Sequence, residues 1–447
     1  MRKNIFSKIF IIILIIVAFF AYRKYDYNFY SKGVTGSKKT SFSRDSKITT
    51  NKKRSYKVEN KDYTDAMFFK KIEVKKYTPY KISCMVKTEN VEQFEGEALA
   101  GAQIVLKGTE EHSDVISGTN EWTKLEFCFN SKCNENVEIG FRLGGNDEKA
   151  KGTAWFSDLQ IEEGFLSDDT TWNFICFAFD NVDVQLEGNH ITGQLSKNDI
   201  YNLNDSMRRL KETLPDLCGN KMQVEYTIIE IQDPITSLTY DEENGYYVGE
   251  KDIYNLVKNY MNEAEYDHVF AYIKLPDEAF MTNADVTNWI GLGNMQYCGK
   301  GYSNIRVSDT SSQDIYRYSS SNNFPEEVFI HEFLHTLERN AQEYGYEIPE
   351  LHSSKDYGYE ESRVDGLRIW YADYMNKKIN SNGTYIGLPE DIYKYTPAQV
   401  SDFEYSSKLT LLDEPKNIVE TIRSILARVE QLFNRKEQNI EIKGIAE

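Results

Sequence analysis

His331 and His335 lie four residues apart in the stretch EEVFIHEFLHTLERN, and Glu332 directly follows the first. Residues four apart on an α-helix stand on one face. Both imidazoles can therefore present a nitrogen to one ion, about 2.0–2.1 Å away for zinc. Glu332 is turned roughly 100° around the helix from His331. That leaves it beside the ion instead of on it, able to take a proton from bound water. The H-E-x-x-H spacing implies Zn2+ held by two histidines, with Glu332 assisting attack of zinc-bound water on a peptide bond. Val328, Phe329, Phe333, Leu334 and Leu337 surround the motif with apolar groups, as a helix set into a core requires. Two histidines on one face of such a helix are costly unless something satisfies their nitrogens.

The elements that would position this helix lie in residues 171–408. NFICFAFDNVDVQL, MQVEYTIIEIQ and HVFAYIKL have the composition of strands. NDIYNLNDSMRRLKETLPDLC, with Asn198 or Asp199 as its cap, and IYNLVKNYMNEA have the spacing of helices. The motif helix should end near Gly345, and RIWYADYM should form a helix packed below the site, with Trp370 and Tyr371 in the core. This α/β order together with H-E-x-x-H resembles the zincin metallopeptidases. The resemblance implies an upper lobe made of a twisted sheet backed by two helices. It also implies an edge strand that pairs with extended peptide substrate, to be sought in residues 289–307. The metzincin branch would continue with a glycine turn and a third histidine. LERN, Leu337 to Asn340, has neither.

The third ligand stays open on the sequence. His352, in PELHSSKDYGY, is preferred because histidine is scarce: the chain has six, and three fall within 22 residues. The alternatives are Glu361, which with Asp365 matches the E-x-x-x-D pattern of glutamate-ligand zincins, and Asp356. Glu338 sits three residues past His335 on the same helix, but family geometry takes the third ligand from another element. Tetrahedral intermediates need a donor for the developing oxyanion. Tyr359, with Tyr357 beside it, is the catalytic residue suggested by nearness to the proposed ligand, though most of 31 tyrosines must be structural or exposed.

Residues 56–165 change character, with short alternating runs such as YKISCMVKTE, EWTKLEFCFN and VEIGFRLGG separated by polar turns, a pattern for an antiparallel sandwich. The succession of EW, GFRLGG and GTAWFSDLQIEE resembles the jelly-roll carbohydrate-binding modules attached to secreted bacterial enzymes. Such a module would contain Trp122, Trp155, Phe156 and Asp158, and the resemblance implies a glycan partner. Trp155 and Phe156 adjoin and must face opposite sides of a strand, so at least one belongs to the core.

The fold class expected is therefore multidomain: an N-terminal membrane anchor, an antiparallel β-sandwich, an α/β zincin-like catalytic domain and C-terminal helices. Residues 1–22 read as a signal anchor or signal peptide, with Arg2, Lys3 and Lys8 ahead of the apolar run Ile9 to Ala21. Residues 23–55 read as a flexible basic tether. Residues 409–447 read as an amphipathic helix started by Pro415. Localisation is then extracytoplasmic, anchored or secreted. Residues 1–54 hold 13 basic and two acidic residues; the rest hold 39 basic and 68 acidic, a formal charge of −29. Such a body argues against nucleic acid as a partner. Six cysteines make no disulfide scaffold, although Cys128 and Cys133 could close a hairpin, and no pair has zinc-thiolate spacing. The expected partner is a peptide or protein substrate. A glycan-binding adhesion protein with an inactive zincin domain, or a zinc hydrolase of a non-peptide surface substrate, are the alternative readings.

Overall fold

The structure is a computed structural model that describes residues 34–50, 54–165, 168–186, 189–262, 265–276, 289–307, 324–360, 364–396 and 403–405. The expected anchor, residues 1–22, and the amphipathic helix at 409–447 lie outside the described residues, as does Glu361. Among the described residues no helix is long and apolar enough to cross a membrane.

Among the described residues nine strands come first: β1 (Val34–Thr35), β2 (Thr40–Asp45), β3 (Ser55–Thr64), β4 (Ala66–Glu73), β5 (Pro79–Gln93), β6 (Gly101–Leu106), β7 (Gly118–Asn130), β8 (Asn136–Gly144) and β9 (Ala150–Gly164). They form two antiparallel sheets, β1-β4-β8-β6 and β2-β3-β9-β5-β7. Their inner faces share one core that includes Phe68, Ile82, Ile104, Ile139, Phe141 and Phe156. The sandwich thus starts earlier than expected. Residues 34–45, read as tether, contribute β1 and β2. TSFSRD alternates half-buried and exposed positions with few apolar groups, the composition of a sheet edge that looks like linker when pattern is judged by hydrophobicity. Phe156 points into the core, 5.2 Å from Phe141 between ring centres. Trp155 faces the other way, with Lys57 over its ring and its Nε1–H donated to Asp45. All six cysteines are free thiols, so Cys128 and Cys133 do not close a hairpin.

The second unit follows as β10 (Thr171–Phe179), a small hairpin of β11 (Asn181–Leu186) and β12 (Asn189–Gln194), helix α1 (Lys197–Leu217) and β13 (Gln223–Ile231). Next come the hairpin β14 (Thr239–Asp241) and β15 (Gly245–Tyr247), α2 (Glu250–Met261), β16 (His268–Lys274), β17 (Gly291–Tyr297) and β18 (Lys300–Val307). Last are α3 (Glu327–Glu343), a 3-10 helix at Leu351–Tyr357, α4 (Val364–Met375), the hairpin β19 (Ile379–Ser381) and β20 (Thr384–Ile386), and β21 (Phe403–Tyr405). The main sheet runs β13-β10-β16-β18-β17. Its first four strands are parallel and β17 is antiparallel at the edge. Parallel strands covered on both faces read as continuous apolar runs, and FICFAF in β10 does so. Phe174, Cys176 and Ala178 enter the core under α1 and α3, while Ile175, Phe177 and Phe179 enter the core on the α2 side. β21 leaves this unit and pairs with β9 of the sandwich, Phe403 opposite Gly164.

The cap of α1 is Ser196, two residues before Asn198. Its hydroxyl accepts from the Asp199 N–H while the Asp199 carboxylate accepts from the Ser196 N–H, a reciprocal capping box. Ser196→Ala is expected to cost about 1 kcal/mol, read as a lower urea midpoint for the transition reported by the α/β unit.

Candidate functional site

α3 is positioned by its apolar face. Phe329 and Phe333 are buried, and Phe333 meets Trp172 edge-on at 5.1 Å and Phe174 at 4.8 Å. Between α3 and the sheet His268 is a satisfied core histidine, bonded to Ser303 Oγ (3.1 Å) and Thr336 Oγ1 (3.2 Å), and burial pushes its pKa well below the ordinary value. The opposite face of α3 presents His331 and His335 to a cleft, and the 3-10 helix brings His352 to them. The Nε2 atoms of His331 and His352 are 2.9 Å apart, and one nitrogen from each of the three rings lies within 4.8 Å of the others.

These donors fit zinc. Ligand nitrogens at about 2.05 Å on a tetrahedron stand about 3.3 Å apart, a few tenths of an ångström from the observed separation. Metal ligands must also be neutral imidazoles. Burial, then the neighbouring His335 and His352, push the pKa of His331 well below its usual range.

Two carboxylates stand behind the rings. Tyr371 Oη donates to Glu327 Oε1 at 2.5 Å, so its oxygen is left to accept from His331 Nδ1–H at 2.9 Å. That fixes the tautomer with the Nε2 lone pair facing the other histidines. Glu338 does not join the ligand nitrogens. One of its oxygens bonds His335 Nδ1 at 2.9 Å and the other accepts the Leu351 N–H at 2.8 Å, tying α3 to the segment that bears His352. Partners of this kind orient metal ligands and raise their basicity. Glu338→Gln is expected to weaken zinc binding about 10–100-fold in competition with a chromophoric chelator, and an unchanged affinity would remove Glu338 from this role.

Glu332 is 5% exposed and lies under β17. The Gly293 N–H donates to its carboxylate, and burial, then the charge of Glu327, hold its pKa well above the ordinary carboxylate range. The approach is close enough to require glycine. A Cβ on Gly291 would sit 2.4 Å from Glu332 Oε1, and one on Gly293 2.7 Å from Oε2. Arg339 Nη1 donates to the Met295 carbonyl at 2.8 Å and holds the strand to α3.

Two cavities flank the histidines and share Gly291, His331, Glu332, Leu351 and His352. One, of 560 Å³, runs along β17 from Gly291 to Met295 under the β14–β15 hairpin. The other, of 710 Å³, is bounded by Val328, Leu367, Trp370 and Tyr371. Together they make a cleft that crosses the three histidines beside a sheet edge.

Not every expected residue reaches the cleft. Tyr359 donates its hydroxyl to Asp373 at 2.7 Å, packs edge-on against Trp370, and lines neither cavity, so it is not positioned as an oxyanion donor. Asp356 lines the larger cavity without standing among the ligand nitrogens. Tyr371 is buried as expected of a core residue, yet it serves His331; forty residues separate the two, and no local pattern joins them.

No protein-family model matches the chain. Among curated proteins, 53 residues are 34% identical to the tRNA(Glu)-specific nuclease WapA of Bacillus subtilis subsp. natto, which is 12% of this chain; the chain spans about 2% of that relative's length. Similar solved structures include carbohydrate-binding modules. One described as CBM4 is 17% identical over 24% of this chain and 74% of its own, with a TM-score of 0.17. The CBM22-1 xylan-binding domain of Paenibacillus barcinonensis Xyn10C is 14% identical over 29% and 84%, with a TM-score of 0.18. TmCBM61 in complex with β-1,4-galactotriose is 13% identical over 30% and 92%, with a TM-score of 0.20. Likenesses at such scores carry no weight for function.

Proposed function

We propose that this chain is a zinc-dependent endopeptidase in which His331, His335 and His352 hold the metal and Glu332 is the general base. The observation that carries the reading is the meeting of three histidine nitrogens, a buried glutamate and a sheet edge in one cleft. When bound, zinc would polarise the scissile carbonyl and acidify the attacking water. β17 accepts the substrate backbone as an added strand. Glu332 takes a proton from water as its oxygen adds to the carbonyl carbon, then delivers that proton to the amine nitrogen as the C–N bond breaks. Tyr371 and Glu338 keep the rings of His331 and His335 in their working tautomers. The test is a diverse peptide library given to the full chain loaded with zinc. Internal cleavage that stops on chelation and returns with zinc is the expected result; a zinc-loaded protein that cleaves nothing would sink the reading. N-methylating the substrate amides that face β17 should lower kcat/KM, because it removes the backbone donors of the added strand.

Glycan retention by the sandwich is a second reading, favoured by the two-sheet architecture and by the half-buried Trp122 on β7. Trp155 does not offer a bare stacking face, since Lys57 and Asp45 cover it. Retardation in affinity electrophoresis through xylan or β-1,4-galactan gels, abolished by Trp122→Ala, would support it.

A further inference from the structure

A second cluster lies away from the cleft, where the sandwich meets the α/β unit. His112 comes from the loop after β6, Glu250 from the first turn of α2, and Cys298 from the two-residue turn between β17 and β18. His112 Nε2 and Cys298 Sγ are each 3.0 Å from Glu250 Oε1, and the Cys298 N–H donates to the same oxygen at 3.1 Å. One ligand atom from each residue lies within 4.8 Å of the others. The joint around them is closely tied. Tyr254 Oη accepts the Val115 N–H at 2.8 Å, and Asn262 Nδ2 donates to Asp114 at 2.9 Å.

We propose that His112, Glu250 and Cys298 form a second divalent-metal site, of the zinc class, that fastens the β17–β18 hairpin to the sandwich. Imidazole, thiolate and carboxylate are all zinc donors, and mixed nitrogen and sulfur sets suit zinc. His112 is already set for the task. Its Nδ1–H donates to the Ser113 carbonyl at 2.7 Å, which directs Nε2 at Glu250 and Cys298 and supplies the outer hydrogen bond that metal-ligating histidines keep. The turn is also built at a cost. Cys298 has φ +47° and Gly299 φ +80°, a pair of left-handed residues in which the first favours asparagine, aspartate or glycine. Cysteine there is unusual for the turn but aims sulfur at the cluster.

The thiolate is the form of cysteine that binds metal, so an ion seated here takes up the Cys298 sulfur as the thiol proton leaves. Sequence spacing hides the set, because 138 residues separate His112 from Glu250 and 48 separate Glu250 from Cys298.

Cobalt(II) substitution of the full chain tests the proposal, because only a thiolate ligand gives a sulfur-to-cobalt charge-transfer band and the three-histidine site has none. Two equivalents of cobalt and such a band are expected. Cys298→Ser should remove the band and one equivalent, His112→Ala should remove one equivalent, and the equivalent kept at the histidines shows that each variant folds. Conversely, His335→Ala should remove one equivalent and keep the band, so failure of the peptidase centre and failure of this site are read separately. Absence of the band, or a band that survives Cys298→Ser and disappears with Cys133→Ser at the exposed thiol, would overturn the assignment.

Discussion

Glu332→Gln is expected to lower kcat for peptide hydrolysis by about 10²–10⁴-fold while the protein keeps its zinc at the histidines. The amide has nearly the shape of the carboxylate, and the site is shaped around that group: Gly291 and Gly293 lie against both oxygens. Zinc affinity should hold because Glu332 is not among the clustered ligand atoms. KM should change little, since the proposed substrate strand would pair with β17 and not with the base. A variant with full zinc content and undiminished cleavage would exclude Glu332 as the base.

His352→Ala is expected to produce the second large effect, on the metal itself. Removing one of the three proposed protein ligands should lower zinc affinity by several orders of magnitude and take activity with it. The same change at Asp356 should leave the zinc at the histidines in place, because that side chain lines the cleft without joining the ligand nitrogens. Zinc content after dialysis against a weak chelator separates the two. A zinc content of His352→Ala equal to that of the unchanged protein would assign the third position to another residue, and Glu361→Ala is the companion variant that would then lose one equivalent.

The pair of histidines on α3 was legible because helical spacing is a local property. His352 was legible because histidine is rare in this chain. The groups that hold them were not. Glu338 was visible as a neighbour of His335, but its role depends on the Leu351 N–H thirteen residues on. Tyr371, one of many tyrosines, reaches His331 from forty residues further along the chain. Gly291 and Gly293 fall in the stretch where the edge strand was sought, yet their purpose appears only when β17 lies on Glu332. The α/β order followed from apolar runs such as FICFAF. The start of the sandwich did not, because the side chains of β2 are mostly polar and a sheet edge is specified by backbone pairing. Tyr359 shows the opposite error: nearness in sequence to His352 did not survive a loop that turns its ring onto Trp370.

β21 gives the molecule a property that a linear domain map conceals. The chain leaves the sandwich at β9, builds the α/β unit, and comes back to add three residues to β9. The α/β unit is thus spliced into the sandwich as a loop between two stretches of one sheet, and is not strung after it like a bead. Cutting the gene near residue 165 to isolate either half would separate partners of the same ladder. Limited proteolysis between β9 and β10 should instead give a nicked molecule whose two pieces remain associated on a sizing column. For protein engineering the sandwich behaves as a frame closed by β21 from beyond the α/β unit, and exchanging it for another module requires moving β21 with it.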